Sequence, residues 1–446
     1  MNLIHPPKSS NEPHLLNTYL SLPEPKLVLD LRPLASFSEI HLAHSNHIDT
    51  FDQLARRYSS LPPKNLPYLI IASRCQARLV LGKFSSNPLV KFVFLSEQDH
   101  DEDQDEAIDG LTCSNPSTSY HTVYCSSSEF FSQAESLDLT RSCRKSGAGQ
   151  TSVKARFSDP EDVPHLLFRP SKAVERLLDR LELEGSLLPK SKDVQAPLTR
   201  MRSFLDVGCG AGRDTAYILD RSRRGKEPIT ATSVIWRGTA MDSWKAALDR
   251  AELLLRDLDL LVGGSGEVDG GVGGGDQAPA CEGLVWAKVD DIGALQALEG
   301  KGRGKAILGA PPEDAIIRSR NLDFISNHLP ETRRNPHSYD LVIMVRFFPR
   351  QMMRHLPILV KKGRGSMVMI SHFVNATPGE RTSQEEAGII FDYDSPPVEG
   401  RIQAGEMEEI VRLWNEDEEP KWKIAEDLVE AIEDGRAVRS LVLARC

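Results

Sequence analysis

Three glycines alternate with other residues directly after an acidic residue near the middle of the chain. The run Phe-Leu-Asp-Val-Gly-Cys-Gly-Ala-Gly-Arg-Asp spans 204–214 and contains Asp206, Gly208, Gly210 and Gly212. Glycine lacks a Cβ, so its backbone can turn tightly beside a ligand and expose N–H groups at the start of a helix. The run predicts a buried strand, a ligand-binding turn and a helix. The alternative is a strand, turn and helix without a ligand.

A second acidic residue follows the next predicted strand. Asp242 comes directly after Thr239–Met241, and a predicted helix begins at Ser243. A carboxylate at the end of this strand can accept hydrogen bonds from both hydroxyls of a ribose. Capping of the helix N-terminus is the competing interpretation, and both roles can hold together.

The spacing of the glycines is GxGxG, because the residue three after Gly210 is Arg213. It therefore departs from the GxGxxG of dinucleotide-binding enzymes. The run resembles motif I of the class I S-adenosylmethionine-dependent methyltransferases, and in particular relatives of the bacterial tellurite-methylating enzyme. The resemblance implies that S-adenosylmethionine is the cofactor, and that Asp206 and the turn, including Cys209, surround its methionine moiety.

The order of later segments resembles the same family over about 165–446. Asp242 would bind the ribose, and Asp290 or Asp291 would accept from the adenine amino group, although both aspartates could simply cap the end of a strand. The predicted fourth and fifth strands end near Arg346 and His372. Ligands of open α/β sheets lie outside the carboxyl ends of the strands, so these two side chains are the candidate catalytic residues, with His372 as a base.

The N-terminal region resembles the rhodanese homology domain. Its run Leu-Asp-Leu-Arg-Pro-Leu-Ala-Ser-Phe over 29–37 matches the family's Asp-x-Arg strand end, but the following His-Ile-x-Gly-Ala turn is degraded. In the family, a cysteine starts the next active loop and an arginine follows five residues later. Here Ser73 stands five residues before Arg78, and Cys75 lies two residues late. A serine cannot carry a persulfide, so we expect a catalytically silent domain that could serve a protein partner.

The amino-acid composition limits the binding partners and the cellular location that we expect for the protein. The chain has 446 residues, and 54 Lys and Arg against 64 Asp and Glu give a net charge of −10. This charge disfavours nucleic acid as a partner, because phosphate neutralisation needs a basic surface. No run approaches the ~20 apolar residues of a membrane span, and the seven scattered cysteines lack metal-type CxxC pairs, so we expect no metal site. A cytoplasmic location is expected, and a nuclear one stays open.

The predicted fold is α/β, with a Rossmann-like class I methyltransferase domain preceded by a smaller α/β rhodanese-like domain. The predicted segments are a tail at 1–20, the rhodanese-like domain at 21–140 with an acidic and Ser-rich loop at 98–119, a linker at 141–164, and the methyltransferase domain at 165–446 with a Gly-rich insertion at 262–275.

Methyl transfer to a small-molecule acceptor is the leading function. A two-domain binding or regulatory protein without turnover, an active sulfurtransferase–methyltransferase fusion and a nucleotide-dependent oxidoreductase are the alternatives. The oxidoreductase should show GxGxxG, which the turn at 208–212 does not.

Overall fold

The chain divides into two compact units, Met1–Arg169 and Pro170–Cys446. The computed structural model describes residues 15–49, 51–96, 122–142, 165–186, 200–224, 234–261, 280–286, 339–353, 356–375, 389–417 and 421–446. The predicted loop at 98–119, the Gly-rich insertion, Asp290 and Asp291 lie outside these residues. Within them, no helix is both long enough and apolar enough to cross a membrane.

The first unit is built on an open parallel sheet. Its strands are β1 Val28–Asp30, β2 His41–Leu42, β3 Asn46–His47, β4 Tyr68–Ser73, β5 Val90–Ser96, β6 Thr122–Ser126 and β7 Thr140–Arg141. Its helices are α1 Asn17–Leu20, α2 Leu34–Glu39, α3 Ala77–Phe84 and α4 Ser127–Ser136, with 3-10 turns at Phe51–Ala55, Tyr58–Ser60 and Arg74–Gln76. Five strands pair in parallel in the order β3-β1-β4-β5-β6, while β2 and β7 form a separate antiparallel pair.

The two faces of this sheet bury separate apolar clusters. Along β4, Ile70 packs with Leu29 and Phe92 on one face, while Leu69 and Ile71 pack on the other. A strand covered on both faces reads as a continuous apolar run, as β4 does in the sequence. The sequence therefore predicted the buried strands of this unit. The sequence of 51–58 also predicts a helix, but this region forms two short 3-10 turns.

Both ends of the first unit extend beyond the predicted boundaries. Leu16 and Tyr19, in the predicted tail, are buried against the face that carries Leu69. Arg141, at the start of the predicted linker, pairs with His41 across the β2–β7 ladder. Short apolar segments such as 15–22 gain their burial from tertiary packing, which composition does not reveal.

A buried ion pair joins the end of β1 to the chain that follows it. Arg32 and Asp30 are 3% and 0% exposed, and Arg32 Nη2 donates to Asp30 Oδ2 at 2.8 Å. The same nitrogen donates to the Ile40 carbonyl oxygen at 2.7 Å, and the guanidinium lies over the Phe131 ring. The Asp-x-Arg run therefore acts as a structural clamp in this unit.

Replacing Arg32 with glutamine should destabilise the first unit by about 3–5 kcal/mol, because Asp30 is left buried without its counter-charge. Amide hydrogen exchange on peptides of the intact chain measures this free energy of opening for each unit separately. Arg78→Gln removes an exposed arginine of the same unit and is the matched control. Equal exchange in the two variants would contradict the clamp.

The second unit contains a seven-stranded sheet. Its strands are β8 Arg200–Val207, β9 Val234–Asp242, β10 Ala280–Trp286, β11 Leu341–Val345, β12 Met367–Phe373, β13 Trp422–Ala431 and β14 Ala437–Arg445. Its helices are α5 Lys172–Ser186, α6 Arg213–Arg224, α7 Lys245–Asp257, α8 Arg350–Met353 and α9 Glu406–Asp417, with 3-10 turns at Leu356–Ile358 and Val398–Gly400. The helix predicted from Phe168 begins instead at Lys172, because Pro170 disfavours helical backbone in the residue before it.

The strand order of this sheet is β10-β9-β8-β11-β12-β14-β13. All neighbours are parallel except β14, which is antiparallel to both β12 and β13. The chain reverses its direction of progress across the sheet between β8 and β11, which defines a topological switch point. This is a Rossmann-like open sheet, and its ligand crevice is expected at the carboxyl ends of β8 and β11.

Candidate functional site

The glycine turn lies at the switch point, between the end of β8 and the start of α6. Gly208, Gly210 and Gly212 have φ values of +75°, +56° and +74°. These are left-handed conformations that strain other L-residues, and glycine adopts them without that strain. The predicted strand, turn and helix are all present.

Each glycine has a different neighbour. A Cβ on Gly208 would lie 2.4 Å from the Phe347 ring, and one on Gly212 would lie 2.9 Å from the Ala251 Cβ. A Cβ on Gly210 would have no atom within 4 Å. Gly208 and Gly212 therefore serve the packing of β11 and α7, and Gly210 alone faces open space.

The backbone N–H groups of the turn are used inside the protein. Gly208 and Cys209 donate to the Met241 carbonyl oxygen at 2.8 and 3.0 Å, and Gly210 donates to Asp242 Oδ2 at 2.7 Å. Gly212 donates to the Cys209 carbonyl oxygen at 2.9 Å. These four N–H groups of the turn are therefore bonded inside the protein and are not free to bind a ligand.

Asp242 connects three elements through its carboxylate. Besides the Gly210 N–H on Oδ2, its Oδ1 accepts the Trp244 N–H at 2.7 Å. The predicted capping is nevertheless wrong, because α7 begins at Lys245 and not at Ser243, its N-cap residue is Trp244, and no side chain there bonds a helical N–H. A carboxylate has about four lone-pair positions, so each oxygen can still accept a hydroxyl. Trp244 beside it is 61% exposed, and the sequence reasoning did not single it out although a bulky aromatic next to the acid was a readable signal.

Three carboxyl groups gather around the turn. Asp206 is 2% exposed, and its Oδ2 accepts from Thr215 Oγ1 at 2.6 Å. Burial, reinforced by Asp214 and Asp242, raises the pKa of Asp206 to about 8. Burial also raises the pKa of Asp214, whose Oδ1 accepts the Ser171 N–H at 2.7 Å. Carboxyl groups that raise a neighbour's pKa favour a cation in their midst.

The Cys209 thiol is part of the turn but is not prepared as a nucleophile. Burial raises its pKa well above the ordinary value, and the Asp206 and Asp242 carboxylates act in the same direction. Its Sγ lies 3.7 Å from the Gly210 carbonyl oxygen. Because the thiolate is the reactive form, this cysteine contributes shape to the turn and no covalent chemistry.

Arg346 follows β11 in an unusual conformation. Its φ is +56°, its N–H donates to the Ser371 carbonyl oxygen at 2.6 Å, and its Nη2 donates to Glu433 Oε2 at 2.5 Å. The next residue, Phe347, packs on Gly208. Arg346 therefore stands directly after β11 and directly before the residue that lies against the glycine turn.

His372 lies at the end of β12 but is enclosed. The residue is 6% exposed, its Nε2 donates to the Gly400 carbonyl oxygen at 2.9 Å, and Phe348 stacks on the ring. Burial, together with the Arg350 guanidinium, lowers its pKa, although the Gly400 carbonyl opposes this shift. Nδ1 has no hydrogen-bond partner among the described residues. The Nε2 nitrogen of the imidazole is therefore held by Gly400, while Nδ1 keeps a buried lone pair.

The corresponding strand end of the first unit carries the three residues that the sequence singled out in its loop. Ser73 ends β4 and is 8% exposed, Cys75 is an exposed free thiol in the 3-10 turn, and Arg78 is exposed in the first turn of α3. The Ala77 N–H donates to the Arg74 carbonyl oxygen, so it points into the turn. The loop contains no glycine that would let its N–H groups converge on one point.

No family model matches the chain. It is 27% identical over 245 residues to Uncharacterized protein UNK4.09 of Schizosaccharomyces pombe, and the alignment covers 55% of this chain and 57% of that protein. The chain therefore spans little more than half the length of this relative.

Solved structures with partial likeness include several methyltransferases. A SAM-dependent methyltransferase from Aquifex aeolicus has 12% identity and a TM-score of 0.29, over 61% of this chain and 89% of that one. An arsenic(III) S-adenosylmethionine methyltransferase from Chlamydomonas reinhardtii has 14% identity and a TM-score of 0.29, over 62% and 74%. The CurJ carbon methyltransferase has 12% identity and a TM-score of 0.30, over 62% and 56%. Scores this low carry no assignment, so the fold rests on the strand order above.

Gly208→Ala should destabilise the second unit more than Gly210→Ala. Both substitutions place a Cβ in a left-handed conformation at a cost of about 1–3 kcal/mol, but only the first also displaces the Phe347 ring. Amide exchange or thermal unfolding of the two variants measures the difference. Equal destabilisation would show that Phe347 is not held against the turn.

Proposed function

We propose that the second unit binds S-adenosylmethionine and transfers its methyl group to a small-molecule acceptor. One observation carries the proposal. At the switch point, the N–H groups of Gly208, Cys209 and Gly210 are bonded to the end of β9, while carboxyl groups surround the turn. Such a site repels phosphate and favours a cationic ligand that approaches the backbone closely at Gly210.

The residues present fit this cofactor. The open space beside Gly210 admits a ligand where any side chain would stand, and Asp242 retains lone pairs for two ribose hydroxyls. Asp206 and Asp214 have raised pKa values, and an ammonium or sulfonium group bound beside them would favour their ionised forms. When bound, the cofactor supplies an electrophilic methyl group. The chain's own contribution is to position the reactants and to exclude water.

A dinucleotide-dependent oxidoreductase is the competing function on a Rossmann-like sheet. Its pyrophosphate would rest on free N–H groups of the glycine turn and of the first turn of α6. Here Gly208, Cys209 and Gly210 have given theirs to β9, and Asp214 places a carboxyl group in the first helical turn. Both features oppose the binding of a phosphate.

The methyl acceptor is inferred from the charge of the chain and from the family resemblance. The net charge of −10 favours a small molecule over nucleic acid, and the tellurite-type resemblance suggests a soft nucleophile such as a thiol or a chalcogen oxyanion. Arg346 and His372 stay candidates for contact with the acceptor. If His372 acts as a base, Nδ1 takes the proton because Nε2 is engaged by Gly400.

For the first unit we propose a rhodanese-like module without sulfurtransferase activity, available to a protein partner. Ser73 at the position of the nucleophile and the inward Ala77 N–H support this proposal. Cys75 is exposed, but the Ala77 N–H close to it bonds the Arg74 carbonyl oxygen and is not available to stabilise a thiolate.

Calorimetric titration tests the cofactor. The protein should bind S-adenosylmethionine and S-adenosylhomocysteine with micromolar affinity, about −8 kcal/mol, and bind NAD(P)H far more weakly. Gly210→Val should weaken binding because its side chain fills the open space. Asp242→Ala should weaken it by about 10–100-fold through the lost charged hydrogen bonds.

Gly365→Val is the matched control for Gly210→Val. Gly365 also has a positive φ, +82°, and open space around its Cβ position, but it precedes β12 at the opposite edge of the sheet. The Gly365→Val variant should bind S-adenosylmethionine with the same affinity as the unchanged protein. Absence of binding in a folded sample, or preferential binding of NAD(P)H, would sink the proposed function.

Cofactor binding should be coupled to proton release. Asp206, whose pKa is about 8, is mostly protonated at neutral pH, and a cation nearby favours the carboxylate and lowers that pKa. At about pH 7.5, the sulfonium ligand should therefore release up to about one proton per site, and more than the neutral thioether does. Calorimetry in buffers of different ionisation enthalpy measures the number of protons released on binding.

Asp206→Asn keeps the size of the side chain and removes its titration. The difference in proton release between the two ligands should then vanish, while any change in the ligand's own amino group remains in both variants. An unchanged difference would show that Asp206 does not face the ligand's charge.

A further inference from the structure

Arg346 directly precedes Phe347, the residue that packs on Gly208 and so joins the end of β11 to the glycine turn. It adopts φ +56°, which is a genuine outlier for a long side chain, and strain of this kind concentrates at ligand sites. The conformation has two visible consequences. It directs the following residue, Phe347, onto Gly208, and it sends the guanidinium towards the turn between β13 and β14.

The guanidinium of Arg346 lies within electrostatic range of Asp214, one carboxyl group of the site. Arg346 and Glu433 act on the pKa of Asp214 in opposite directions, the arginine lowering it and the glutamate raising it. Asp214 in turn raises the pKa of Asp206. The positive end of Arg346 therefore lies at the margin of an otherwise acidic site.

The partner of Arg346 is exchangeable. The Arg346 and Glu433 side chains are 42% and 55% exposed, and no second acidic side chain pairs with Arg346 among the described residues. Exposed ion pairs contribute only about 0–1 kcal/mol, so an incoming carboxylate can replace Glu433 at little cost. A guanidinium binds such a carboxylate through two parallel hydrogen bonds.

We propose that Arg346 binds the α-carboxylate of the cofactor's methionine moiety, and that Glu433 competes for the same guanidinium. The inference rests on the proposed function and adds the recognition of the amino-acid end. The charges match, because this end carries an ammonium and a sulfonium for Asp206 and Asp214 and one carboxylate for Arg346. Arg346 then acts as a cofactor-binding residue, whereas the sequence interpretation placed it in catalysis.

The test compares two ligands and two variants by calorimetry. S-adenosylhomocysteine carries the carboxylate, while 5′-deoxy-5′-methylthioadenosine has the same nucleoside and thioether without the amino-acid end. Arg346→Gly removes the guanidinium at a position whose positive φ suits glycine, so the fold is retained. Glu433→Gln breaks the same ion pair from the other side and leaves the arginine in place.

Arg346→Gly should lose at least about tenfold in affinity for S-adenosylhomocysteine and less than about twofold for methylthioadenosine. Glu433→Gln should bind S-adenosylhomocysteine as well as the unchanged protein or several-fold better. Equal losses for both ligands, no loss for either, or the same loss in both variants would overturn the carboxylate role. Failure of the unchanged protein to bind either ligand would instead overturn the proposed function.

Discussion

The hydrogen bonds from the glycine turn to the end of β9 are the constraint on which the site depends. Three consecutive N–H groups, those of 208–210, are bonded to Met241 and Asp242. These bonds satisfy buried backbone donors of the turn. They also leave Gly208, Cys209 and Gly210 with no N–H to offer to an anionic ligand.

The second constraint runs across the switch point. Phe347 packs on Gly208, so the end of β11 is held against the turn after β8. The adjacent Arg346 is forced into a left-handed conformation that no strand would adopt. Packing, backbone strain and the Arg346–Glu433 ion pair are therefore parts of one arrangement at the carboxyl edge of the sheet.

The sequence predicted the elements better than their environments. Apolar runs and the Gly-rich turn located β4, β5, β8, β11 and β12, because burial on both faces leaves a continuous apolar signature. The same reasoning assigned one role to all three glycines, since spacing does not show which neighbour each residue meets. Arg346 was recognised by its place at a strand end, but its partner Glu433 lies 87 positions away and no local pattern connects them. The adenine-binding role of Asp290 or Asp291 stays a prediction, because both lie outside the described residues.

The contact between Gly208 and Phe347 has a consequence for how this sequence can diverge. The two positions share one volume, so a side chain at 208 could be accommodated only by a smaller residue at 347. Gly210 has no such partner, and the only demand on it comes from the backbone conformation and from whatever occupies the open space. Among homologues, we therefore expect substitutions at 208 to co-vary with those at 347, while 210 changes only when the ligand does.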